Sequence, residues 1–387
     1  MTTIKYPELA YVNPNKLVRV LKLNNFGDEI KKEMFSSNGE NQILGGDWDL
    51  NLSIPFEELD VFKSIQSHFI EGKNWNETRL YTRVSKEISN NKIKWGCRTP
   101  DEYLKRLEEN VESVYLDIKN HGFKTQRELG TLKKSDEIRI AIDRNGEAIF
   151  MDGRHRLAIA KILKLNKIPV KIILRHEQWT EFQKTIFQYA KNDSKGKIYQ
   201  LIEHPDLDFI PAHHKDDRFD FLEKAISEYD CLNKELIDIG THWGHMSHKF
   251  EDLGFKCTAV EKLTSNIHYL ENIRNACGKT FDIWQGNIFD YPDIEKMDVI
   301  LALNIFHHFC KTEDDHNEFI KLLNRMNAEI MLFQAHRHNP PGQMEGAFRN
   351  YNETEFVEFI SKNTGLNKWE KLGVAADKRP LYKLWKS

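Results

Sequence analysis

The sequence predicts an α/β protein in two parts, an α+β part followed by a part built on a mainly parallel sheet. Its 387 residues are enough for two or three domains. From Glu235 onward, apolar segments typical of buried strands alternate regularly with helical segments, which indicates a parallel sheet. Before that point, residues 138–174 are predicted to form strand, turn, strand, helix and strand, with an Asn-Gly pair in the turn.

Four segments are expected along the chain. They are a peripheral extension at residues 1–50, the α+β part at 51–180, a helical connector at 181–232 and the parallel-sheet part at 233–387. The α+β part is predicted to begin with a short strand at Leu52–Pro55. Apolar residues at helical spacing further predict an amphipathic helix at about Pro100–Asn120.

The composition excludes several classes of protein. Fifty-six Lys and Arg are balanced by 59 Asp and Glu, a net charge of −3, so there is no general positive field and nucleic acid is not expected as a partner. The five cysteines are widely spaced and include no Cys-x-x-Cys pair, which argues against a disulfide framework or a cysteine-rich zinc site. No signal peptide or long apolar run is visible, so a cytoplasmic location without a membrane span is expected.

Four predicted strand ends in the C-terminal part carry the residues that indicate a ligand site. The first strand leads through a glycine-bearing turn into a helix over Leu236–Ser247, where glycine lets the backbone approach a ligand. Glu261 ends the second strand, where a carboxylate can accept hydrogen bonds from both hydroxyls of a ribose. The third strand leads to Gly286–Asp290 and the fourth to Asn304–His308.

This ordered set resembles the class I S-adenosylmethionine-dependent methyltransferases over about residues 235–387. The resemblance implies a Rossmann-like, seven-stranded methyltransferase sheet with S-adenosylmethionine as cofactor. The cofactor residues that it implies are Asp238, Gly240, Thr241, His242, Trp243 and Gly244 in the methionine-side loop, Glu261 at the ribose, Asn287 and Ile288 at the adenine, and Asn304 beneath the cofactor. The glycine turn taken alone would equally suit NAD. Two positions depart from the family, since His242 replaces its middle glycine and Asn287 its frequent aspartate, and neither change forbids binding.

Histidines near the strand ends leave two questions open. His307 or His308 could act as a general base that removes a proton from a substrate hydroxyl, or could simply shape the pocket. The second question is whether the histidines bind a metal ion, and no metal is expected. The histidines considered for it are His242, His245, His248, His307, His308, His336 and His338.

A second motif, Asp-Gly-Arg-His-Arg at residues 152–156, lies between a strand and a helix in the N-terminal part. Helix N–H groups and basic side chains favour a bound phosphate, for which Gly153, Arg154, His155 and Arg156 are the candidates. The unit resembles the ParB and sulfiredoxin superfamily, over about residues 51–175. Arg154 stands where sulfiredoxins place their reactive cysteine, which argues against sulfinic acid repair, and no DNA-reading helix-turn-helix follows.

Some members of that superfamily are small-molecule kinases. This resemblance makes Glu57, Asp152 and His155 candidate kinase residues, with ATP or another nucleotide and Mg²⁺ as cofactors. Two other interpretations stay open, a loop that only binds a nucleotide or phosphate and a structural role in which Arg154 and Arg156 form salt bridges. The neighbouring lysines are interpreted as a solvated helix face: Lys161, Lys164, Lys167 and Lys171.

Together the motifs predict a methyltransferase that acts on a hydroxyl, phosphate or carboxylate of a small molecule or glycan. The N-terminal part is expected to bind or transfer phosphate, so the acceptor could be phosphorylated. Residues 334–350 and the connector are expected to form the acceptor pocket, where Arg337 and Arg349 could grip an anion or could be surface residues. The alternatives are a nucleic-acid-associated regulator or modifier and a non-catalytic protein that binds a nucleotide or S-adenosylmethionine.

Overall fold

The computed structural model describes residues 5–34, 41–130, 137–214, 217–337 and 343–386, except the side chains of residues 25 and 33. The chain forms two compact units. The first, unit 1, consists of Met1–Phe187 and His204–Phe209, and the second, unit 2, of Gln188–Glu203 and Ile210–Ser387. Among the helices that the structure describes, none has the length and apolar character needed to cross a lipid bilayer.

Unit 1 contains a five-stranded mixed sheet. Its strands are β1 (Ala10–Val12), β2 (Gln42–Leu44), β3 (Arg139–Ile142), β4 (Ala148–Asp152) and β5 (Ile168–His176). The strands lie in the order β1-β5-β3-β4, and β2 also pairs with β5. As predicted, β3 and β4 form an antiparallel hairpin about the Asn-Gly turn, while β3 runs parallel to β5.

The first fifty residues differ from the peripheral extension that was expected. Strand β1 pairs antiparallel with the start of β5, and β2 pairs parallel with its end. Phe26 and Trp48 pack into the same core as Ile173 and Leu174. Each of these two strands has only three residues, which is too short for an alternating pattern to stand out in the sequence.

The predicted strand at Leu52–Pro55 is wrong. Leu52 forms only an isolated bridge with Leu21, and the Ser53 N–H donates to the carbonyl of Val20. Pro55 has no N–H to continue a ladder, and a 3₁₀ helix, Phe56–Glu58, follows it.

Seven α-helices lie between the start of the described chain and residue 192, and the last of them runs from unit 1 into unit 2. They are α1 (Asp28–Met34), α2 (Asp60–Phe69), α3 (Arg79–Ser89), α4 (Pro100–Arg106), α5 (Glu112–His121), α6 (Arg154–Ile162) and α7 (Glu177–Asn192). The helix predicted at about Pro100–Asn120 is present as α4 and α5, joined by a π-helical segment at Leu107–Val111. A capping box between Thr99 and Glu102 begins it, and Gly122 ends it with a φ of 79°.

A buried ion pair connects β5 to residues 204–209 of the same unit. The Arg175 guanidinium donates to both carboxylate oxygens of Asp206 at 2.6–3.0 Å. Trp179 Nε1 and Gln183 Nε2 donate to the same carboxylate at 2.9 and 2.8 Å. The charge of Asp206 is therefore fully compensated inside the unit.

Unit 2 is built on a seven-stranded sheet, as predicted. Its strands are β6 (Glu235–Ile239), β7 (Lys256–Glu261), β8 (Asp282–Gln285), β9 (Val299–Leu303), β10 (Ile330–Gln334), β11 (Lys368–Val374) and β12 (Pro380–Trp385). Their order is β11-β12-β10-β9-β6-β7-β8. Strands β6 to β10 all run parallel to one another. Strand β12 pairs antiparallel with both β10 and β11.

Strands β6, β7, β9 and β10 are mostly buried, and β8 is only partly buried. Helices cover this sheet. They are α8 (Asp217–Ala225), α9 (His245–Asp252), α10 (Thr264–Ala276), α11 (Glu313–Arg325) and α12 (Glu353–Thr364). The chain runs outward from β6 through β7 to β8 and then returns to β9 on the other side of β6. Such a reversal opens a crevice at the carboxyl ends of β6 and β9, where α/β sheets bind their ligands.

Candidate functional site

A cavity of about 460 Å³ lies at the carboxyl ends of the central strands of unit 2. Its lining includes most of the residues predicted to bind a cofactor: Asp238, Gly240, Thr241, His242, Glu261, Asn287, Ile288 and Asn304. One of the two candidate bases, His308, also lines it. The four strand-end motifs of the sequence are thus brought together around one space.

Asp238, at the end of β6, holds the glycine-bearing turn. Its carboxylate is buried and accepts hydrogen bonds from the hydroxyls of Thr241 and Ser247, both at 2.7 Å. Burial raises the pKa of Asp238, and these hydrogen bonds oppose that rise. Because Ser247 belongs to α9, the carboxylate links the strand, the turn and the first turns of that helix.

Two glycines of the turn cannot carry a side chain without a shift of their neighbours. Gly240 has a φ of 73°, and a Cβ there would lie 2.7 Å from Cδ1 of Ile305. Gly244 has a φ of 83°, and a Cβ there would lie 2.5 Å from Cδ1 of Leu270. Gly244 caps α9 outside the cavity lining, so its role is to turn the chain into the helix.

His242 adopts the left-handed backbone that a glycine would take without strain, with a φ of 59°. Its ring packs against the rings of Trp243 and Tyr199, with centroids 5.0 and 4.8 Å away. Burial, and to a lesser extent the nearby His214, lowers the pKa of His242 to about 4. Trp243 itself lies outside the cavity lining and packs on Tyr269, with centroids 4.5 Å apart.

Glu261 connects the turn after β6 to the end of β7. One carboxylate oxygen accepts the backbone N–H of His242 at 3.0 Å, and the other accepts that of Leu263 at 2.8 Å. The side chain lines the cavity and the residue is 7% exposed. Each oxygen keeps a further lone pair, so the carboxylate is oriented and still able to accept hydrogen bonds from a ligand.

The end of β8 forms an apolar part of the cavity with one amide. Asn287 caps a 3₁₀ helix at Ile288–Asp290, and its Oδ1 accepts the N–H of Phe289 at 3.3 Å. Ile288 is buried, and the rings of Phe289 and Phe309 have centroids 4.8 Å apart. These residues offer a flat aromatic base both apolar contact and a polar edge.

The loop after β9 places Asn304 and His308 on the cavity. Asn304 has a φ of 57°, and its Nδ2 donates to the Tyr199 hydroxyl at 3.4 Å. Burial lowers the pKa of His308, and the charges of Lys311 and Arg379 lower it further. Its imidazole is therefore neutral near pH 7 and able to accept a proton.

His307, the other candidate base, lies outside the cavity lining. It is 1% exposed, and its Nε2 lies 2.7 Å from Nε2 of Gln343. Burial lowers the pKa of His307 to about 2, helped by His308 and His336. His307 is therefore packed inside the protein, whereas His308 lines the cavity and can contact a ligand.

The buried histidines of unit 2 predict a loss of stability in mild acid. Burial lowers the pKa of His214, His242 and His307 to about 4, 4 and 2, whereas an unfolded histidine takes up its proton near pH 6.5. The unfolded chain thus binds more protons below pH 6.5. The free energy of unfolding should fall between pH 6.5 and 4.5, by about 1.4 kcal/mol per pH unit for each such histidine.

Urea denaturation across this pH range measures that slope. His307→Asn should make the slope flatter by about one histidine's share, since the unfolded chain then has one fewer proton to bind. His268→Gln is the matched control, because His268 is exposed. An unchanged slope in His307→Asn would contradict the prediction.

Three residues of the lining come from the connector and were not singled out in the sequence. They are Tyr199, Gln200 and Arg218. Tyr199 packs against His214 and His242, and Arg218 stands in the first turn of α8. They lie in irregular or short helical segments without a motif, so the sequence carries no pattern that would have identified them.

The two arginines expected to grip an acceptor have other contacts. The Arg337 guanidinium donates to the backbone carbonyl of Asp377, and the Arg349 guanidinium lies 4.9 Å from the centroid of the Phe348 ring. His338, also considered in the sequence, lies outside the described residues, as does the middle of the predicted acceptor loop. Across the described part of the chain, no three His, Cys, Asp or Glu side chains are grouped as metal ligands would be.

In unit 1, Glu57 forms an ion pair with a lysine. Its carboxylate lies 2.5 Å from Nζ of Lys161, whose side chain is buried and extends to 5.7 Å from the centroid of Phe56. The expectation that Lys161 belongs to a solvated helix face is therefore wrong. The helix turns this residue toward the core, where Glu57 compensates its charge.

The Asp-Gly-Arg-His-Arg motif begins α6. Gly153 caps the helix with a φ of 95°, and Oδ1 of the exposed Asp152 accepts its N–H at 2.8 Å. Arg154 is exposed in the first turn, while Arg156 lies 3.6 Å from Glu137.

His155 is not a cationic part of this motif at neutral pH. Its ring stacks on Trp95, with centroids 5.2 Å apart and an angle of 14°. Burial lowers the pKa of His155 to about 4, and the charge of Arg154 contributes. A phosphate here would be bound by the arginines and the helix N–H groups.

Comparisons with known proteins find related sequences for one third of the chain. No family model matches. Two curated relatives, both named ubiquinone biosynthesis O-methyltransferase, from Rickettsia felis and Rickettsia canadensis, are each 24% identical over 129 residues. That alignment covers 33% of this chain and 48% and 50% of the relatives, so the chain spans about half the length of the curated relatives it matches.

Solved structures also match the chain at low similarity. The crystal structure of monomeric WbdD matches with a TM-score of 0.40 and 18% identity, covering 51% of this chain and 48% of that one. Another WbdD structure, described as a bifunctional kinase-methyltransferase, has a TM-score of 0.40 and 17% identity, covering 51% and 46%.

Proposed function

We propose that unit 2 binds S-adenosylmethionine and transfers its methyl group to an oxygen atom of a small-molecule acceptor. One observation carries this proposal. The strand order reverses at the carboxyl ends of β6 and β9, and a cavity at that place is lined by a glycine turn, an oriented acidic residue and an asparagine. The curated relatives support the oxygen acceptor by their names.

The polar atoms of the cavity fit a cofactor of this kind. Four side chains of the lining have a buried atom without a hydrogen-bond partner among the described residues: Gln200 Oε1, Arg218 Nε, His242 Nδ1 and Asn304 Oδ1. Buried polar atoms are rarely left unpaired in native proteins, and those that are need a ligand or water. A cavity with several such atoms suits a polar ligand.

Specific residues would hold the parts of the cofactor. Glu261 would accept the ribose hydroxyls, Asn287 and Ile288 would meet the adenine, and the Gly240 turn would approach the remainder. When bound, S-adenosylmethionine supplies an activated methyl group on a sulfonium. The protein contributes mainly by holding the reacting atoms in line and by excluding water.

His308 supplies the proton acceptor in this proposal. A hydroxyl acceptor loses its proton as the new O–C bond forms, and the neutral imidazole of His308 can take that proton. Because its pKa is lowered, the imidazole is in its neutral form at pH 7. Asn304, in the same loop, would bind the acceptor or cofactor through its Oδ1.

Isothermal titration of the full chain with S-adenosylhomocysteine tests the function. Binding in the micromolar range is expected, and NADH titrated in parallel should give no heat. Binding of NADH without S-adenosylhomocysteine would assign the site to a dinucleotide instead. No binding of either ligand would refute the proposal.

Replacing His308 tests the proton acceptor separately. His308→Ala should lower kcat about 100-fold in methyl transfer to hydroxyl acceptors, because general-base catalysis is lost. The affinity for S-adenosylhomocysteine should stay within about twofold. His268→Ala, at an exposed position on α10, is the control. A kcat within threefold of the wild type would leave His308 a role only in shaping the pocket.

Phosphate binding by residues 153–156 and kinase activity in unit 1 remain predictions. The Glu57 carboxylate is paired with Lys161, and the His155 imidazole is neutral and stacked on Trp95. These contacts favour binding by Arg154 over a catalytic role of Glu57. We therefore keep the phosphate-binding interpretation and assign no ATP or Mg²⁺ chemistry.

A further inference from the structure

Two buried polar side chains of the connector line the cavity, and each carries a polar atom that has no hydrogen-bond partner among the described residues. Arg218 is 5% exposed and Gln200 is 8% exposed, and both line the cavity. Among the described residues, neither Arg218 Nε nor Gln200 Oε1 has a hydrogen-bond partner. One of these atoms is a cationic donor and the other is a neutral acceptor.

The charge of Arg218 is incompletely compensated. Its Nη1 donates to Oε1 of Gln334, a neutral group, at 3.3 Å. Among the described residues, the guanidinium forms no ion pair with a carboxylate. Leaving a buried guanidinium without a nearby anion is costly, so the side chain is suited to a ligand that brings one.

Asp238 does not provide that anion by contact. Its carboxylate is engaged by Thr241 and Ser247, and Arg218 acts on it only by lowering its pKa from a distance. Lys262, another cation of the lining, is exposed and is therefore solvated. Arg218 is thus a buried cation in the cavity lining, and the carboxylate of a ligand would compensate its charge.

Gln200 complements this charge. Its Oε1 is a hydrogen-bond acceptor in the same cavity and would suit an ammonium group. A carboxylate and an ammonium together are the two ends of an α-amino acid. The pair of connector residues therefore matches an amino-acid group, whereas a nucleoside presents neither charge.

We propose that Arg218 and Gln200 bind the α-amino-acid end of the cofactor, Arg218 its carboxylate and Gln200 its ammonium. This inference rests on the proposed function. It makes the connector a positioning element of the site, because fixing the amino-acid end determines where the reacting end of the ligand lies. The ligand must then carry a free α-carboxylate to bind tightly.

Two ligands that differ only in this group test the inference. S-adenosylhomocysteine has the amino-acid end, and 5′-methylthioadenosine is a similar nucleoside thioether without it. In calorimetry on the full chain, Arg218→Met should weaken S-adenosylhomocysteine roughly 10- to 100-fold and leave 5′-methylthioadenosine within about twofold. Arg218→Lys should recover part of the loss, because it restores the charge but not the planar fork.

Arg379→Met is the matched control. Arg379 is also largely buried, with an Nε that lacks a partner among the described residues, but it pairs with Asp377 and lies outside the cavity lining. Arg379→Met should leave the ratio of the affinities for S-adenosylhomocysteine and 5′-methylthioadenosine unchanged.

Two outcomes overturn the inference, and a third refutes the proposed function on which it rests. Equal weakening of both ligands in Arg218→Met would mean a structural role. Unchanged binding of S-adenosylhomocysteine would mean that the carboxylate belongs to an acceptor or that none is bound. Failure of the wild type to bind either ligand would instead refute the proposed function itself.

Discussion

Glu261→Gln is expected to weaken S-adenosylhomocysteine at least about 100-fold. The carboxylate accepts the N–H groups of His242 and Leu263, one on each oxygen. In glutamine one of these atoms becomes an NH₂ donor, which must face one of the two N–H donors. The variant therefore loses a hydrogen bond within the protein and the charge that strengthens bonds to the ribose hydroxyls, each worth about 1.5–3 kcal/mol.

Calorimetry with the wild type in parallel measures this loss. Glu271→Gln is the matched control, because Glu271 is an exposed residue of α10 in the same unit and makes the same change of charge. It should bind like the wild type. Equal affinity of Glu261→Gln and wild type would remove Glu261 from the ligand site, whatever the cavity binds.

Asp206→Ala is expected to reduce the free energy of unfolding by about 3–5 kcal/mol. Its carboxylate compensates Arg175 and accepts from Trp179 and Gln183, and both members of the ion pair are almost fully buried. Removing it leaves a buried guanidinium without its anion. The indole and amide donors then also lose their acceptor.

Urea denaturation followed by circular dichroism measures this change. The control is Glu181→Ala on α7, which removes an exposed ion pair with Lys184 and should cost about 1 kcal/mol or less. A loss below 1 kcal/mol in Asp206→Ala would show that the network adds no net stability.

The sequence predicted the parts of the fold that have a regular pattern. The parallel strands of unit 2 are built largely of apolar residues, and four of them end at or next to residues that line the cavity, including Glu261 and Asn304. Because carboxyl ends of parallel strands meet at one edge, their grouping followed from the alternation of elements. The hairpin at Asn145-Gly146 was found for a similar local reason.

What the sequence did not predict depends on contacts between distant residues. Strands β1 and β2 are too short for a pattern, and their pairing with β5 spans more than a hundred residues. The burial of Lys161 follows from its partner Glu57, far away in the chain. The positions of Tyr199, Gln200 and Arg218 on the cavity were hidden for the same reason.

Each of the two units is made of two separate stretches of the chain, which limits how they can be expressed apart. The chain leaves unit 1 after Phe187, returns for His204–Phe209 and leaves again, so it crosses between the units three times. A gene fragment that begins at residue 233 would encode the whole seven-stranded sheet yet omit Tyr199, Gln200 and Arg218. One that begins between residues 188 and 199 would include those residues but would carry the 204–209 segment without Arg175, the ion-pair partner of Asp206. A single cut in the chain therefore cannot separate the two units with both intact.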